Sequence, residues 1–208
     1  MATKLDVIYS KFLNQIDDIE LGLVEEEDLE DMLLDYLENA TVEFWECKKD
    51  LSIKKPERTS YTFKSNQNIS VKTPFNEYTT VVVKDQGRVY VLDKDYSLVY
   101  QEENGQLDIN TTTSSFGNIE VDVCEEGYIN DDLTLEEIYI LSLCMRLFWL
   151  NPKIHREENL RQMMNDRDFN QLSNANMLKA LLQLHTSTRQ ELQKFKQRYS
   201  FNDFKGFE

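Results

Sequence analysis

The chain has 208 residues, 40% of them hydrophobic and 11% aromatic, enough for a folded core and too many for a disordered chain. Its formal net charge of −15 excludes a protein whose whole surface grips nucleic acid, because phosphate contacts need a basic footprint. Cys47, Cys124 and Cys144 form no Cys-x-x-Cys pair and suit a reducing compartment better than a disulfide framework.

The N-terminal stretch MATKLDVIYSKFLNQIDD lacks the basic-then-apolar layout of a secretion signal. The longest apolar run, Ile138 to Leu150, is too short for a membrane span and contains Arg146. The expectation is a protein made in the cytosol, with no membrane association.

Leu5, Ile8, Phe12, Ile16 and Ile19 recur at three and four, which predicts a first helix closed by Gly22. A second helix follows from Leu33, Leu37, Ala40, Phe44, Cys47 and Leu51, with Ser52 to Pro56 ending it. The acidic run Glu25, Glu26, Glu27, Asp28, Glu30 and Asp31 sits at the start of this helix, where carboxylates suit the positive end of the helix dipole.

From about Thr59 the period changes from 3.6 to 2. Tyr61 and Phe63 alternate with polar neighbours, as do Ile69 and Val71. EYTTVVVK, Asp85-Gln86-Gly87 and RVYVLD read as a hairpin. SLVYQEENGQLDIN reads as a second, with Asn104-Gly105 suited to a type I′ turn, and NIEVDV as a last strand. These short strands predict a small antiparallel β module.

Helix returns at Asp132-Leu133-Thr134-Leu135-Glu136-Glu137. Thr134 and Glu137 have the spacing of a capping box, in which each side chain satisfies a free backbone N–H of the other. The run that follows is apolar on nearly every side and should be buried all round until Pro152 stops it. A shorter helix is expected from Glu157 to Asn165. Leu178, Leu181, His185, Thr188, Leu192, Phe195 and Tyr199 then alternate spacings of three and four, a heptad seam on a long last helix. Charge reverses here: Lys179, Arg189, Lys194, Lys196, Arg198 and Lys205 oppose Glu191, Asp203 and Glu208.

The fold class that follows is α+β. A helical bundle built from residues 1–52 and 130–200 is interrupted by a β module at 53–129, and residues 201–208 form a tail.

Catalytic signals are few. There is no Gly-rich phosphate loop, no Gly-x-Ser-x-Gly and no His-Glu-x-x-His. His185 lies on the seam and reads as a core histidine; His155 reads as a loop or helix-start residue. The cysteines read as packing residues. Asp166 and Asp168, or the acidic run at 25–31, could be imagined holding Mg²⁺ in a nuclease. Such sites need carboxylates converging from different elements, whereas these lie along solvated helix or at a helix end. The reading is therefore of no enzyme, no cofactor and no metal. Phe195, Tyr199 and Phe201 begin on the seam and read mostly as core, whereas Phe204 and Phe207 lie past the expected end of the helix and are either harmless aromatics on a loose end or anchors of a docking peptide.

NDDLTLEEIYILSLCMRLFWLNPKI (130–154), ENLRQMMNDRDFNQLSNANMLKALLQLHTSTRQELQKFKQRYSF (158–201) and LLDYLENATVEFWECKKDLS (33–52) resemble the helical segments of head–tail connector proteins of tailed bacteriophages that infect Gram-positive bacteria. The motifs are Asp132 to Ile138, Trp149 to Pro152 and Asp168 to Asn176. In that family a short polar linker joins the Asp-Leu-Ser and Asp-Leu-Thr segments; here Ile53 to Ile129 lies between them. The resemblance implies a non-catalytic virion protein at the neck. It would form a homo-oligomeric ring of twelve subunits beneath the portal protein and receive the tail or a further neck protein. The β module could then contact the major capsid protein. DNA would pass through without specific binding. Tyr199, Phe201, Phe204 and Phe207 would dock on the portal. The acidic run from Glu25 to Asp31 would repel phosphate along the channel. A tail-completion or tail-terminator protein of the same virion is the alternative, favoured by the β module and opposed by the helical motifs.

Overall fold

The computed structural model describes residues 2–64, 69–73, 75, 78–85, 87–111, 118–163 and 171–202, with the backbone alone at 26, 160–163, 171–175 and 202. In chain order the elements are β1 (Thr3–Lys4), α1 (Leu5–Leu13), a 3-10 turn (Leu21–Leu23), α2 (Glu26–Glu43), β2 (Ile53–Lys54), β3 (Glu57–Lys64), β4 (Ile69–Lys72), β5 (Thr79–Asp85), β6 (Arg88–Val89), β7 (Tyr96–Gln101), β8 (Gln106–Thr111), β9 (Asn118–Glu125), β10 (Tyr128–Ile129), α3 (Leu135–Met163) and α4 (Gln171–Asn202). The class is α+β. The chain divides into two compact units: Met1–Ile53 with Ile129–Glu208, and Lys54–Tyr128.

The helical unit is organised around α3. Helices α1, α2 and α4 each pack against it. Its apolar surface explains this arrangement, for Ile140, Leu141, Leu143, Met145 and Leu150 are all fully buried and point in different directions around one helix. Ile8 and Phe12 from α1 and Leu37 from α2 complete that core, as does Phe44 just beyond α2. Each such side chain removed from water contributes about 1.5–3 kcal/mol.

Three helix boundaries differ from the sequence expectation, each for a local reason. Helix α1 ends at Leu13, and Ile19 is 81% exposed, so its place in the spacing buries nothing. Asp18 accounts for this: its carboxylate accepts the backbone N–H of Glu20 at 3.1 Å and the indole N–H of Trp149 at 2.9 Å, drawing the chain out of helix. Helix α2 ends at Glu43, where Phe44 leaves helical geometry (φ −92°, ψ 46°), although Cys47 and Leu51 still pack on the core. Pro152 does not stop α3. It removes the N–H that would bond Phe148, a cost of about 3 kcal/mol, but Trp149 and Ile154 are buried on either side and Lys153 pairs with Asp18 at 2.8 Å. The separate helix expected from Glu157 is thus the continuation of α3 to Met163. Helix α4 keeps the seam: Leu178, Thr188 and Leu192 are buried, and Leu181, His185, Phe195 and Tyr199 are half-buried.

The β unit holds two antiparallel sheets, ordered β3-β9-β5-β6 and β4-β8-β7. Alternation assigns the inner faces. Val81, Val83, Ile119, Val121 and Val123 of the first sheet share one apolar cluster with Ile69, Val71, Leu107 and Ile109 of the second. The Tyr96 hydroxyl ties them by donating to the Val81 carbonyl at 2.8 Å. On the opposite face, Asp122 accepts from Ser60 and Lys84 on its two neighbouring strands, both at 2.7 Å.

The first hairpin pairs Asp85 with Arg88, and Gly87 takes φ +83°. Strand β6 is shorter than RVYVLD suggests, because the buried Asp95 carboxylate accepts the Val91 N–H at 3.0 Å and curls the chain. The second hairpin pairs Gln101 with Gln106 across four residues rather than two. Asn104 N–H bonds the Gln101 carbonyl at 3.2 Å and only Gly105 takes positive φ, so the expected type I′ turn at Asn104-Gly105 is not the turn formed.

Strands β2 and β10 are neighbours in a third small sheet, ordered β1-β10-β2. The chain therefore leaves and re-enters the helical unit about 5 Å apart. Replacing Lys54–Tyr128 by a short Gly-Ser linker is expected to leave a helical protein that unfolds in one cooperative step, read by circular dichroism during a thermal melt. A broad, non-cooperative melt would show that the helical core depends on the β unit.

Candidate functional site

Around Glu137 the helical unit brings three separated stretches of chain into polar contact. The capping box forms: the Thr134 N–H and hydroxyl donate to Glu137 Oε2 at 2.7 and 2.8 Å, and Glu137 N–H donates to Thr134 Oγ1 at 3.3 Å. Two distant segments then join it. Lys49 Nζ lies 2.9 Å from Oε2, and the Tyr199 hydroxyl donates to Oε1 at 2.9 Å. Lys49 also donates to the Asp132 carbonyl. Nearby, the Thr3 hydroxyl accepts the Leu133 N–H at 2.7 Å and donates to the Asp131 carbonyl at 2.9 Å. Glu137 is 2% exposed. Burial pushes its pKa upward, but the hydrogen bonds from Lys49, Thr134 and Tyr199 outweigh that and hold it below the usual glutamate value. The Tyr199 hydroxyl is held well above the usual tyrosine value, first by burial and then by the Glu137 carboxylate.

Tyr199 therefore requires a correction. Expected as a docking anchor, it is committed inside the fold, with its hydroxyl on Glu137 and its ring edge-on to Phe44 at 5.3 Å between centroids. Phe201 is 68% exposed near the end of α4. Phe204 and Phe207 lie outside the described residues, as do Asp166 and Asp168. In the acidic run, Glu25 precedes α2 without a side-chain capping bond; Glu25, Glu27, Asp28 and Asp31 are exposed and Glu30 is half-buried, while Glu26 is described by its backbone alone.

Burial pushes the Cys144 thiol up to about 12 and raises that of Cys47 as well, which disfavours the thiolate at both. Among the described residues no group of three or more His, Cys, Asp or Glu side chains could hold a metal ion, and no helix is long and apolar enough to cross a membrane.

One feature escaped the sequence reading. A cleft of about 390 Å³ opens between the end of α2, α3 and α4, lined by Trp45, Leu147, Phe148, His185, Arg189 and Lys196. Trp45 is 78% exposed at its edge and Val42 is 77% exposed one turn earlier. Lys196 is held there by Glu43 at 3.4 Å and Glu46 at 3.2 Å. His185, expected in the core, lines this cleft half-buried, because the seam opens where α2 ends. The available signal was a tryptophan off the apolar spacing of its helix.

Compared with protein-family models, curated proteins and solved structures, the chain finds no match in any of the three.

Two substitutions test the node. Tyr199→Phe removes a hydrogen bond to a buried charge and should cost about 1.5–3 kcal/mol in a urea titration at neutral pH. Because the folded pKa of Glu137 lies below its unfolded value, its contribution is complete above about pH 4.3 and is lost as the pH falls through the folded pKa. Glu137→Gln should thus lower stability at neutral pH and flatten its fall with acid, seen as a difference from the parent that shrinks toward low pH. A difference constant with pH would remove the charge from the account.

Proposed function

We propose that this chain is a non-catalytic structural protein of a tailed-bacteriophage virion. It would join head to tail as a ring beneath the portal and extend the channel through which DNA passes. The observation that carries this reading is a coincidence of two independent features. Residues 33–52, 130–154 and 158–201, which resemble the connector segments, are also the segments that meet at Glu137 through Lys49, Thr134 and Tyr199. A buried residue whose partners come from two distant segments organises a scaffold, which is what an adaptor requires.

In this reading Phe201, exposed near the end of α4, and the sequence beyond it supply aromatic anchors for a groove on the portal. Exposed carboxylates such as Glu25 and Glu27 would repel phosphate and let the duplex slide. The β unit would reach a neighbouring virion component. Its exposed Val89, Val91 and Val99 favour the second reading, a tail-completion protein that engages tail-tube subunits through β surfaces.

The test is portal binding followed by native mass spectrometry. It compares the full chain, the chain ending at Asn202, and that shorter chain carrying Phe201→Ala. Addition of the full chain as a ring, with progressive loss in the other two, is the expected result. No binding by any of the three would move the tail-side reading ahead. Equal binding by all three would keep the connector and discard the aromatic tail.

A further inference from the structure

We infer that self-association is built on one contact, in which the outer face of α2 from one copy meets the outer face of α4 from a second copy.

Charge separates the two helices. Helix α2 contains no lysine or arginine, whereas α4 carries Lys179, Arg189, Lys194, Lys196 and Arg198 against Glu191 alone. Both helices pack one side on α3, so each has an outer face. On α2 that face is a stripe at three- and four-residue spacing, Asp28, Asp31, Asp35, Asn39 and Val42, all exposed, continued by Trp45. On α4 it is Lys179, Leu182, Thr186, Gln190 and Lys194, also exposed. At 1.5 Å per residue each stripe is about 21–23 Å long. The lengths match and the charges are opposite.

Apolar groups are present on both partners. Val42 and Trp45 are more than three-quarters exposed, and Leu182, on the α4 stripe, is 42% exposed. An exposed tryptophan with aliphatic neighbours, set in an acidic stripe, has the composition of an interface centre and not of a solvated face. A second copy is the occupant that fits, because the same chain displays both complementary faces. Such a contact is heterologous: each copy offers α2 to one neighbour and α4 to another, so it propagates and closes when the rotation allows. It names the contact for the ring proposed above and rests on that reading only for closure. It also places Asp28, Asp31 and Asp35 between copies, which leaves only the first part of the acidic run to face a channel.

The test uses charge reversal on the full chain. One variant carries Asp28→Lys and Asp31→Lys; the other carries Lys179→Glu and Lys194→Glu. Sedimentation velocity is run at about 50 mM and about 500 mM salt, on either side of the screening range. The parent should assemble at low salt and dissociate at high salt. Each variant alone places like charges together and should associate about tenfold more weakly or worse. An equimolar mixture of the two should assemble again, since each reversed face meets its opposite. A chain carrying all four changes should assemble by itself, which also shows that the substitutions leave the fold intact. A parent that stays monomeric, variants that assemble like the parent, or a mixture that fails to recover would each overturn the inference. Recovery that stops at a dimer would keep the contact and count against the ring. Loss of assembly in the variants with portal binding unchanged would separate this contact from the docking function.

Discussion

A buried carboxylate that three separated stretches of chain must satisfy governs the helical unit. Glu137 sits at the first turn of α3, where a helix leaves backbone N–H groups without partners. Thr134 answers part of that need locally. Lys49, beyond the end of α2, and Tyr199, in the last turn of α4, answer the carboxylate from elsewhere. Removing either distant partner leaves a buried charge short of donors, which costs far more than the pair contributes when intact. The node therefore acts less as a source of stability than as a condition on geometry: only one placement of the chain after α2 and one rotation of α4 satisfy it.

Packing supplies the energy that this geometry directs. Helix α3 has no solvated side along its apolar stretch, so α1, α2 and α4 must close around it, and α4 runs along it for most of its length. The polar positions of the seam show how the two demands are reconciled. Thr188 is buried at 1% exposure between apolar layers, while Tyr139 reaches Glu191 with a 2.7 Å hydrogen bond and stacks edge-on with Phe195. Polar groups within an apolar seam cost stability and specify register. Asp18 plays a corresponding part at the other end of α3, where it collects the indole of Trp149 and the ammonium of Lys153 and so fixes the chain between α1 and α2.

Much of this was legible from spacing alone. The period change near Thr59, the apolar character of Ile138 to Leu150, the capping box and the seam on α4 all depend on local sequence, and local sequence carries them faithfully. What was not legible depends on distant partners. Ile19 has the right spacing for α1, but Asp18 beside it is held by a tryptophan far along the chain. Phe44 fits the α2 face, yet the helix ends there, its ring stacked edge-on with that of Tyr199. Pro152 reads as a stop in every local rule, and the helix passes through it because buried neighbours and an ion pair hold the backbone on both sides. Of the proposed site residues, Tyr199 was misplaced for the same reason: an aromatic near the end of a chain looks available until the carboxylate that claims it is known. Trp45 was overlooked in the opposite sense, since a pattern search for core positions discards what lies between them.

The β unit has a consequence for synthesis. Every pairing it needs lies within Lys54–Tyr128, so it can fold as soon as that length of chain has left the ribosome. The helical unit cannot. Its first two helices emerge early with Ile8, Phe12 and Leu37 still lacking α3, and the carboxylate of Glu137 lacks its tyrosine until residue 199 has appeared. Between the emergence of residue 128 and that of residue 199 the nascent chain thus carries a finished β domain and an incomplete helical unit. The last turn of α4 is the event that completes the helical unit, by bringing Tyr199 to Glu137.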